Sequence, residues 1–339
     1  MEAKPITLLA IESSCDDTSA ALIKDGKVLA NIIASQKIHS EWGGVVPELA
    51  SRAHQQNIVP VVDMALKKAA VKKSELDAIA YTGGPGLMGS LMVGSSFAKA
   101  MAQALNIPSI AVHHMKAHVL AHFIDDPKPK FPFLCLTVSG GHTQIVLVKD
   151  YLEMKIIGST IDDAAGEAFD KCAKIFGLDY PGGPMIDKLA KNGNPNAFKF
   201  TKPRVGEFDF SFSGLKTAVL YFVQKQSLEN QNFVAENLED LCASLQKTIV
   251  EILIAKLEHA AESLNIKEIA IAGGVSANSL LRSELQALER KGYTSYIPEF
   301  QYCLDNAGMI AITAHFQYQK ALFSDLSFEP RARWSIEEN

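Results

Sequence analysis

Two short segments lying far apart in the chain share one pattern. They are Ile79-Ala80-Tyr81-Thr82-Gly83-Gly84 and Ile269-Ala270-Ile271-Ala272-Gly273-Gly274. Each is an uncharged run of strand length that ends in a glycine pair and enters a helix-like stretch through Ser-bearing residues. Such runs are the mark of strands buried on both faces, as in parallel sheets. A second pair precedes them. Ile6–Ile23 and Phe133–Val148 both read as strand, small polar turn, strand. The same order in both halves predicts an internal duplication and two α/β domains. The length of 339 residues agrees, being too great for one compact core.

Further strands are expected over Val28–Ala34, Ser109–Val112, Lys155–Thr160 and Thr294–Ile297. Lys24-Asp25-Gly26-Lys27 reads as a hairpin turn, since Asp-Gly suits two positive-φ residues. Pro47–Ala70 has helical spacing but carries Pro60, which predicts two helices or a kink. Helices are also expected to about Leu105, from about His114, from Asp163, around Pro184 and from Ser213. The last three cover Phe233–Leu264, Ser276–Arg290 and Asn306–Phe323. Ala78–Ala98 has no charged residue and is long enough for a membrane span. Its Gly83-Gly84-Pro85-Gly86 break argues for strand, turn and helix instead, so no membrane association is expected. Met1–Pro5 runs directly into an apolar segment with no signal-peptide pattern. Asp125–Pro132, with three prolines, is the candidate boundary loop.

The 33 Lys+Arg against 38 Asp+Glu give a net charge of −5, which argues against coating nucleic acid by bulk charge. Local basic tracks remain, at Lys199, Lys202 and Arg204 followed by Lys216, and at Arg331 and Arg333 beside Trp334. The five cysteines are widely spaced with no C-x-x-C, which predicts reduced thiols in a cytoplasmic protein.

Five stretches carry chemistry-bearing residues. Glu12-Ser13-Ser14-Cys15-Asp16-Asp17-Thr18-Ser19 ends the first strand with adjacent carboxylates. These suit a base or a metal-phosphate site, although Asp and Ser are also ordinary turn residues. Ser139-Gly140-Gly141-His142-Thr143 offers backbone N–H groups to an anion without matching a P-loop. The Gly83–Gly86 and Gly273-Gly274 turns belong to the same class. His114 and His118 are four apart on a helix, a spacing for two ligands of one metal. Met115 stands where a zincin protease needs its Glu. Asp305 precedes an apolar helix and suits either an N-cap or a carboxylate ligand. Asp163, Glu167 and Asp170 share a helix face, either lining a cleft or solvated.

In this order the motifs closely resemble the bacterial tRNA adenosine threonylcarbamoyltransferase family, from Ile11 to about Met309. Also matching are Pro181-Gly182-Gly183-Pro184, Phe210-Ser211-Phe212-Ser213-Gly214-Leu215-Lys216, and Ala272–Asn278. The resemblance implies an α/β fold of two ribonuclease-H-like domains, of the actin, sugar kinase and Hsp70 type, around a nucleotide cleft. The expected division is residues 1–115 plus 306–339, and 116–305. It implies one Fe2+ (or Zn2+) per subunit on His114, His118 and Asp305. Nucleotide or substrate contacts carry over onto Thr137, Val138, Ser139, Gly140, Gly141, Asp170, Gly183, Asp187 and Asn278, with threonylcarbamoyl-AMP or ATP as the ligand. The implied reaction moves the threonylcarbamoyl group to N6 of a tRNA adenosine. Asp16 is the first candidate for its base and Glu12 the second. Implied partners are tRNA, an inactive paralogue of the same fold as a heterodimer, a P-loop ATPase, and an upstream threonylcarbamoyl-AMP synthase. A sugar-kinase-like phosphotransferase, which has no need of the histidine pair, and a non-catalytic nucleotide-binding scaffold are the alternatives.

Overall fold

The structure is a computed structural model that describes residues 5–36, 44–203 and 205–338. Met1–Lys4 therefore lie outside the described residues. The chain divides into two compact units. Unit 1 is Met1–Lys128, Asp150–Met154 and Pro298–Asn339, and unit 2 is Pro129–Lys149 and Lys155–Ile297. The first crossing falls in the proline-bearing 125–132 stretch, and residues 116–128 and 298–305 group with unit 1.

Unit 1 holds a five-stranded sheet built from β1 (Thr7–Glu12), β2 (Thr18–Lys24), β3 (Lys27–Ala34), β4 (Ala78–Gly84) and β5 (Ser109–His113), in the order β3-β2-β1-β4-β5. The first three strands run antiparallel, and β4 and β5 join parallel to β1. Asp25 (φ 49°) and Gly26 (φ 79°) make the β2–β3 turn, as the Asp-Gly signal predicts. Leu9, Ile11, Ile79 and Tyr81 pack against α1 (Pro47–Ala69) and α2 (Met88–Leu105). Full burial of each large aliphatic side chain contributes roughly 1.5–3 kcal/mol. β1 is buried along its whole length, and α11 (Ala307–Gln319) also packs against the sheet. A short helix, α3 (His114–Leu120), follows β5 directly.

Unit 2 repeats this topology. Its strands are β6 (Phe133–Val138), β7 (Thr143–Asp150), β8 (Glu153–Ser159), β9 (Glu268–Ala272) and β10 (Thr294–Tyr296), in the order β8-β7-β6-β9-β10. Here β6–β7 is antiparallel, while β6–β9 and β9–β10 are parallel. The matched sequence segments occupy corresponding strands, β4 with β9 and β1–β2 with β6–β7. The two-domain α/β fold thus stands, with two ribonuclease-H-like sheets. The unit 2 core lies between the sheet and α4 (Ala165–Ile175), α5 (Gly182–Ala190), α6 (Ser213–Glu229), α7 (Phe233–Glu236), α8 (Leu238–Ser263) and α9 (Ser279–Ala287). A one-turn helix, α10 (Phe300–Cys303), precedes α11.

Four helix readings are corrected. Of the two readings at Pro60 the two-helix one is corrected, since α1 is one continuous helix. Pro60 and Gln56, whose carbonyl loses its partner, both lie on the exposed side, while Ile58, Val61 and Val62 hold the buried side. The 233–264 stretch is two helices meeting at Asn237, whose side chain bonds the Phe233 carbonyl. The 276–290 helix begins only at Ser279, where Asn278 caps it. The last helix stops at Gln319, two residues before Ala321 at φ 54°. Ala78–Ala98 resolves into β4, the glycine turn and α2. Among the described residues no helix is long and apolar enough to cross a membrane, and no disulfide forms.

Candidate functional site

His114 and His118 stand one turn apart on α3, and Asp305 lies just before α11, all within unit 1. His114 Nε2 lies 3.2 Å from His118 Nε2 and 3.4 Å from Asp305 Oδ1, and His118 Nε2 lies 3.1 Å from the same oxygen. Ligands about 2.0–2.2 Å from one ion sit roughly 2.8–3.6 Å apart at octahedral to tetrahedral angles. All three separations fall in that range. The rings leave their other nitrogens out of the cluster. His114 Nδ1 is 3.1 Å from Glu12 Oε2 and 3.2 Å from Ser14 Oγ, while His118 Nδ1 is buried with no hydrogen-bond partner. Two imidazole Nε2 atoms and one carboxylate oxygen are a donor set that suits a divalent transition-metal ion, and the residues fit one. The Asp305 side chain is 26% exposed against 1% for His118, so the cluster opens on the Asp305 side.

Electrostatics favour a positive charge at this point. Burial alone would push the His114 pKa down, but the Asp305 and Glu12 carboxylates reverse this and hold it well above the usual imidazole range. Burial raises the Asp305 carboxyl, and the His114 charge and the histidine hydrogen bonds outweigh it, so its pKa is lowered. A divalent cation supplies the same charge to the same carboxylates.

Glu12 is fully buried at the end of β1. Its Oε1 accepts from Ser14 N at 2.5 Å and its Oε2 from Thr82 Oγ1 at 2.5 Å, leaving the His114 ring as its remaining contact. This carboxylate–histidine pairing keeps a proton on Nδ1 and leaves the Nε2 lone pair facing the cluster. Asp16 and Asp17 follow in a half-buried loop pinned on two sides. His54 of α1 bonds Thr18 Oγ1 (2.8 Å) and the Cys15 carbonyl (2.9 Å), and Ser90 of α2 donates to that carbonyl as well (3.0 Å). Burial pushes the Asp17 carboxyl up to about 7, with Asp16, Asp305 and Glu12 adding to the rise and a Ser35 hydrogen bond opposing it.

The Gly83-Gly84-Pro85-Gly86 turn is not an anion cradle. Gly86 N donates to the Ala332 carbonyl and Leu87 N to the Ser14 carbonyl. A Cβ at Gly84 (φ +143°) would lie 2.0 Å from the Arg331 carbonyl oxygen, and one at Gly86 2.5 Å from that of Ser14. These glycines make room for the chain itself. Gly273 (φ +86°) behaves likewise, since its Cβ would meet the Val138 carbonyl at 2.5 Å.

In unit 2 the Ser139–Gly141 turn is different, because a Cβ at Gly140 or Gly141 would meet nothing within 4 Å. The turn is closed by Ser139 N donating to the His142 carbonyl and His142 N to Ser139 Oγ. Gly166 N, in the first turn of α4, donates to the Ser139 carbonyl. Asp170 of α4 accepts from Gly182 N (2.8 Å) and Gly183 N (3.3 Å), at the start of α5. Asp187 of α5 accepts from Ser279 N and Oγ, at the start of α9. Asn278 caps α9 through Leu281 N and donates to Gln246 Oε1. The start of α5 is thus tied to the middle of α4, the start of α9 to the middle of α5, and the first turn of α4 to the turn that follows β6. Open α/β sheets bind ligands outside the carboxyl ends of their strands, where helix dipoles favour an anion. Thr137 and Val138 are fully buried in β6, and Thr137 Oγ1 bonds the Gln144 carbonyl, so neither side chain reaches this opening.

The acidic face predicted before α4 separates. Asp163 and Glu167 both pair with Lys171, whereas Asp170 turns to α5. Asp162 instead binds Ser211, Phe212 and Ser213 ahead of α6. Of the basic tracks, Lys202 pairs with Glu251 at 2.6 Å, and Arg204 lies outside the described residues. The Arg331 guanidinium stacks over Trp334 and Phe328. Sequence reasoning gave no role to Ser14, Thr82 or His113. His113 caps α3, its Nδ1 facing Met115 N and Lys116 N. The signal was a buried strand-end carboxylate, which needs donors, and an imidazole directly before a helix.

Two curated relatives of the chain share one name. A 60% identical relative from Riemerella anatipestifer covers 98% of this chain and 99% of its own length. A 58% identical relative from Christiangramia forsetii covers 99% and 100%. Both are named tRNA N6-adenosine threonylcarbamoyltransferase. Among solved structures, T. kodakarensis HypF aligns at 12% identity over 95% of this chain and 50% of that chain, with a TM-score of 0.61. The A. fermentans (R)-2-hydroxyglutaryl-CoA dehydratase component A gives 15% identity, 93% and 99% coverage, and a TM-score of 0.53. At such identities the likeness concerns fold alone. The family model for tRNA N6-adenosine threonylcarbamoyltransferase (TsaD) matches residues 27–312, and the chain belongs to that family.

Proposed function

We propose that the chain carries out its family's transfer with His114, His118 and Asp305 holding one Fe2+ or Zn2+ ion per subunit. The threonylcarbamoyl group passes from threonylcarbamoyl-AMP to N6 of adenosine 37 in tRNAs reading codons that begin with A. The observation that carries this reading is the convergence of two Nε2 atoms and one carboxylate oxygen within 4.8 Å of one another. The ion, when bound, polarises the carbamoyl–threonine end of the donor as a Lewis acid.

The chain's own residues supply the remainder. Glu12, fixed by Ser14 and Thr82, sets the His114 tautomer and is a positioning group. Asp16 is the candidate base. The adenosine N6 lone pair is delocalised into its ring, so removal of its proton as the bond forms contributes ~10²–10⁴-fold. A C–N bond forms at the carbamoyl carbon, the C–O bond to AMP breaks, and AMP leaves with that electron pair. In unit 2, the Gly140 and Gly141 N–H groups would take the phosphate, and the region of Asp170, Gly183, Asp187 and Asn278 the remainder of the adenylate. Thr137, Val138 and Ser139 would contribute through the backbone that shapes this turn. The target adenosine must leave the anticodon-loop stack to react.

The reading extends to a cytoplasmic setting and three partners: a catalytically silent paralogue of the same fold, a P-loop ATPase and the synthase that makes the donor. With a net charge of −5 and Lys202 already paired, this chain alone should bind tRNA weakly and in a salt-sensitive way. The test measures threonylcarbamoyl transfer from the adenylate to tRNA, with metal analysis, for His114→Ala and Asp16→Ala. Loss of bound metal and activity in the first, and of activity alone in the second, is expected. Unaltered rates in both would reject the assignment.

A further inference from the structure

The C-terminal segment lies against unit 1 along its length. Ser324 bridges the edge strand β5 through Ser109, and its Oγ accepts from Ala111 N at 2.8 Å. Lys99 of α2 donates to the Phe328 carbonyl. Arg331 N donates to the Gly83 carbonyl at 2.8 Å, and Gly86 N to that of Ala332 at 3.2 Å. Ile336 is 2% exposed, and Lys116 Nζ reaches the Glu338 carbonyl at 3.5 Å. Gly83 and Gly84 leave the space that Phe328 and Arg331 fill.

This segment also reaches the N-cap residue of α3, the helix that carries His114 and His118. His113 Nε2 lies 3.1 Å from the Trp334 carbonyl, and the two rings pack with centroids 4.8 Å apart. Because Nδ1 accepts from the α3 backbone, the proton sits on Nε2 and is donated to Trp334. One imidazole therefore caps α3 with one nitrogen and anchors to the C-terminal segment with the other. His114 follows immediately, and His118 stands one turn further on.

We propose that residues 328–338 act as a strap that presets the metal centre, with Trp334 and His113 as positioning residues acting through the orientation of α3. The proposal rests on the metal reading of His114, His118 and Asp305. Groups that hydrogen-bond a ligating histidine and fix its orientation change metal affinity by about 10–100-fold. The strap reaches one such histidine through its immediate neighbour.

The experiment titrates the full-length chain with cobalt(II), following the visible absorption of the bound ion, at a temperature well below the unfolding midpoint of every variant. Trp334→Ala and His113→Ala are each expected to weaken cobalt binding about 10-fold, and Trp334→Phe to restore it to within about 2-fold. A strap that served stability alone would lower the melting temperature of Trp334→Ala yet leave cobalt affinity unchanged, and that result overturns the proposal. Cobalt binding that is absent from the unaltered chain, or that survives in His114→Ala, overturns the metal reading itself and the strap proposal with it.

Discussion

Asn306, and not Asp305, caps α11: its Oδ1 accepts from Met309 N at 3.0 Å, which leaves Asp305 Oδ1 3.1 Å from His118 Nε2. Two adjacent polar residues thus divide two roles that the sequence left open for one. The division predicts separable defects. Asn306→Ala should destabilise unit 1 by about 0.5–2 kcal/mol, the ordinary worth of an N-cap. Asn306→Asp should not restore it, because Asn306 Nδ2 also donates to the Leu304 carbonyl at 2.8 Å in a fully buried position, and a carboxylate there would face that oxygen with no proton to offer. Asp305→Ala leaves the cap in place, so its loss should fall on metal content. Thermal melts paired with metal analysis check this. If Asp305→Ala retained metal at the level of the unaltered chain, the carboxylate would not be a ligand.

Glu12 is the carboxylate whose charge the His114 ring needs. A Gln at this position keeps the shape, but its amide cannot accept from Ser14 N, Thr82 Oγ1 and His114 Nδ1 together as a carboxylate does. Glu12→Gln is therefore expected to lower metal affinity about 10–100-fold. The measurement is a metal titration of both proteins. An affinity within 2-fold of the unaltered chain would remove Glu12 from the positioning role.

The Asp17 carboxyl titrates near 7 in the folded chain because burial outweighs its hydrogen bond to Ser35. Its unfolded value is near 3.9. The folded state therefore binds more protons than the unfolded state between these values, and stability falls as pH rises from about 4 through 7. The effect is bounded above by about 4 kcal/mol, from about three pKa units. His113 works in the opposite sense. Burial holds it down near 3, below its unfolded 6.5, so its contribution is lost as pH falls from about 6.5 towards 3. Asp17→Asn should flatten the decline between pH 5 and 7 in a series of thermal melts. An unchanged slope there would show that another group governs it.

What the sequence revealed and what it hid have physical causes. Buried strands with turn signals between them are local features, so β1, β4, β6 and β9 were legible, and the likeness of Ile79–Gly84 to Ile269–Gly274 landed on corresponding strands. His114 and His118 were legible because one helix carries both. Asp305 was legible as a candidate ligand, but only the family resemblance joined it to the histidines, since 187 residues separate it from His118 and the return of the chain to unit 1 brings it there. Pro60 misled because the proline rule weighs one lost hydrogen bond, whereas Ile58, Val61 and Val62 together hold the helix. The glycine turns misled for another reason. A glycine that admits a ligand and one that admits the chain's own backbone look alike in sequence.

That last ambiguity yields the sharpest contrast between two substitutions. At Gly84 a Cβ would enter an already filled space at φ +143°, 2.0 Å from the Arg331 carbonyl oxygen, and a backbone atom cannot swing aside. Gly84→Ala should destabilise the fold by roughly 1–3 kcal/mol or more, which for a domain of this size is several degrees of melting temperature. At Gly140 a Cβ would meet nothing within 4 Å. Gly140→Ala should melt with the unaltered chain, because only a ligand approaching the turn would encounter the added methyl group. Nucleotide affinity, measured by calorimetry with AMP, should nevertheless fall at least several-fold. If Gly140→Ala bound AMP as the unaltered chain does, the Ser139–Gly141 turn would not be the phosphate site, and the open space beside it would need another occupant.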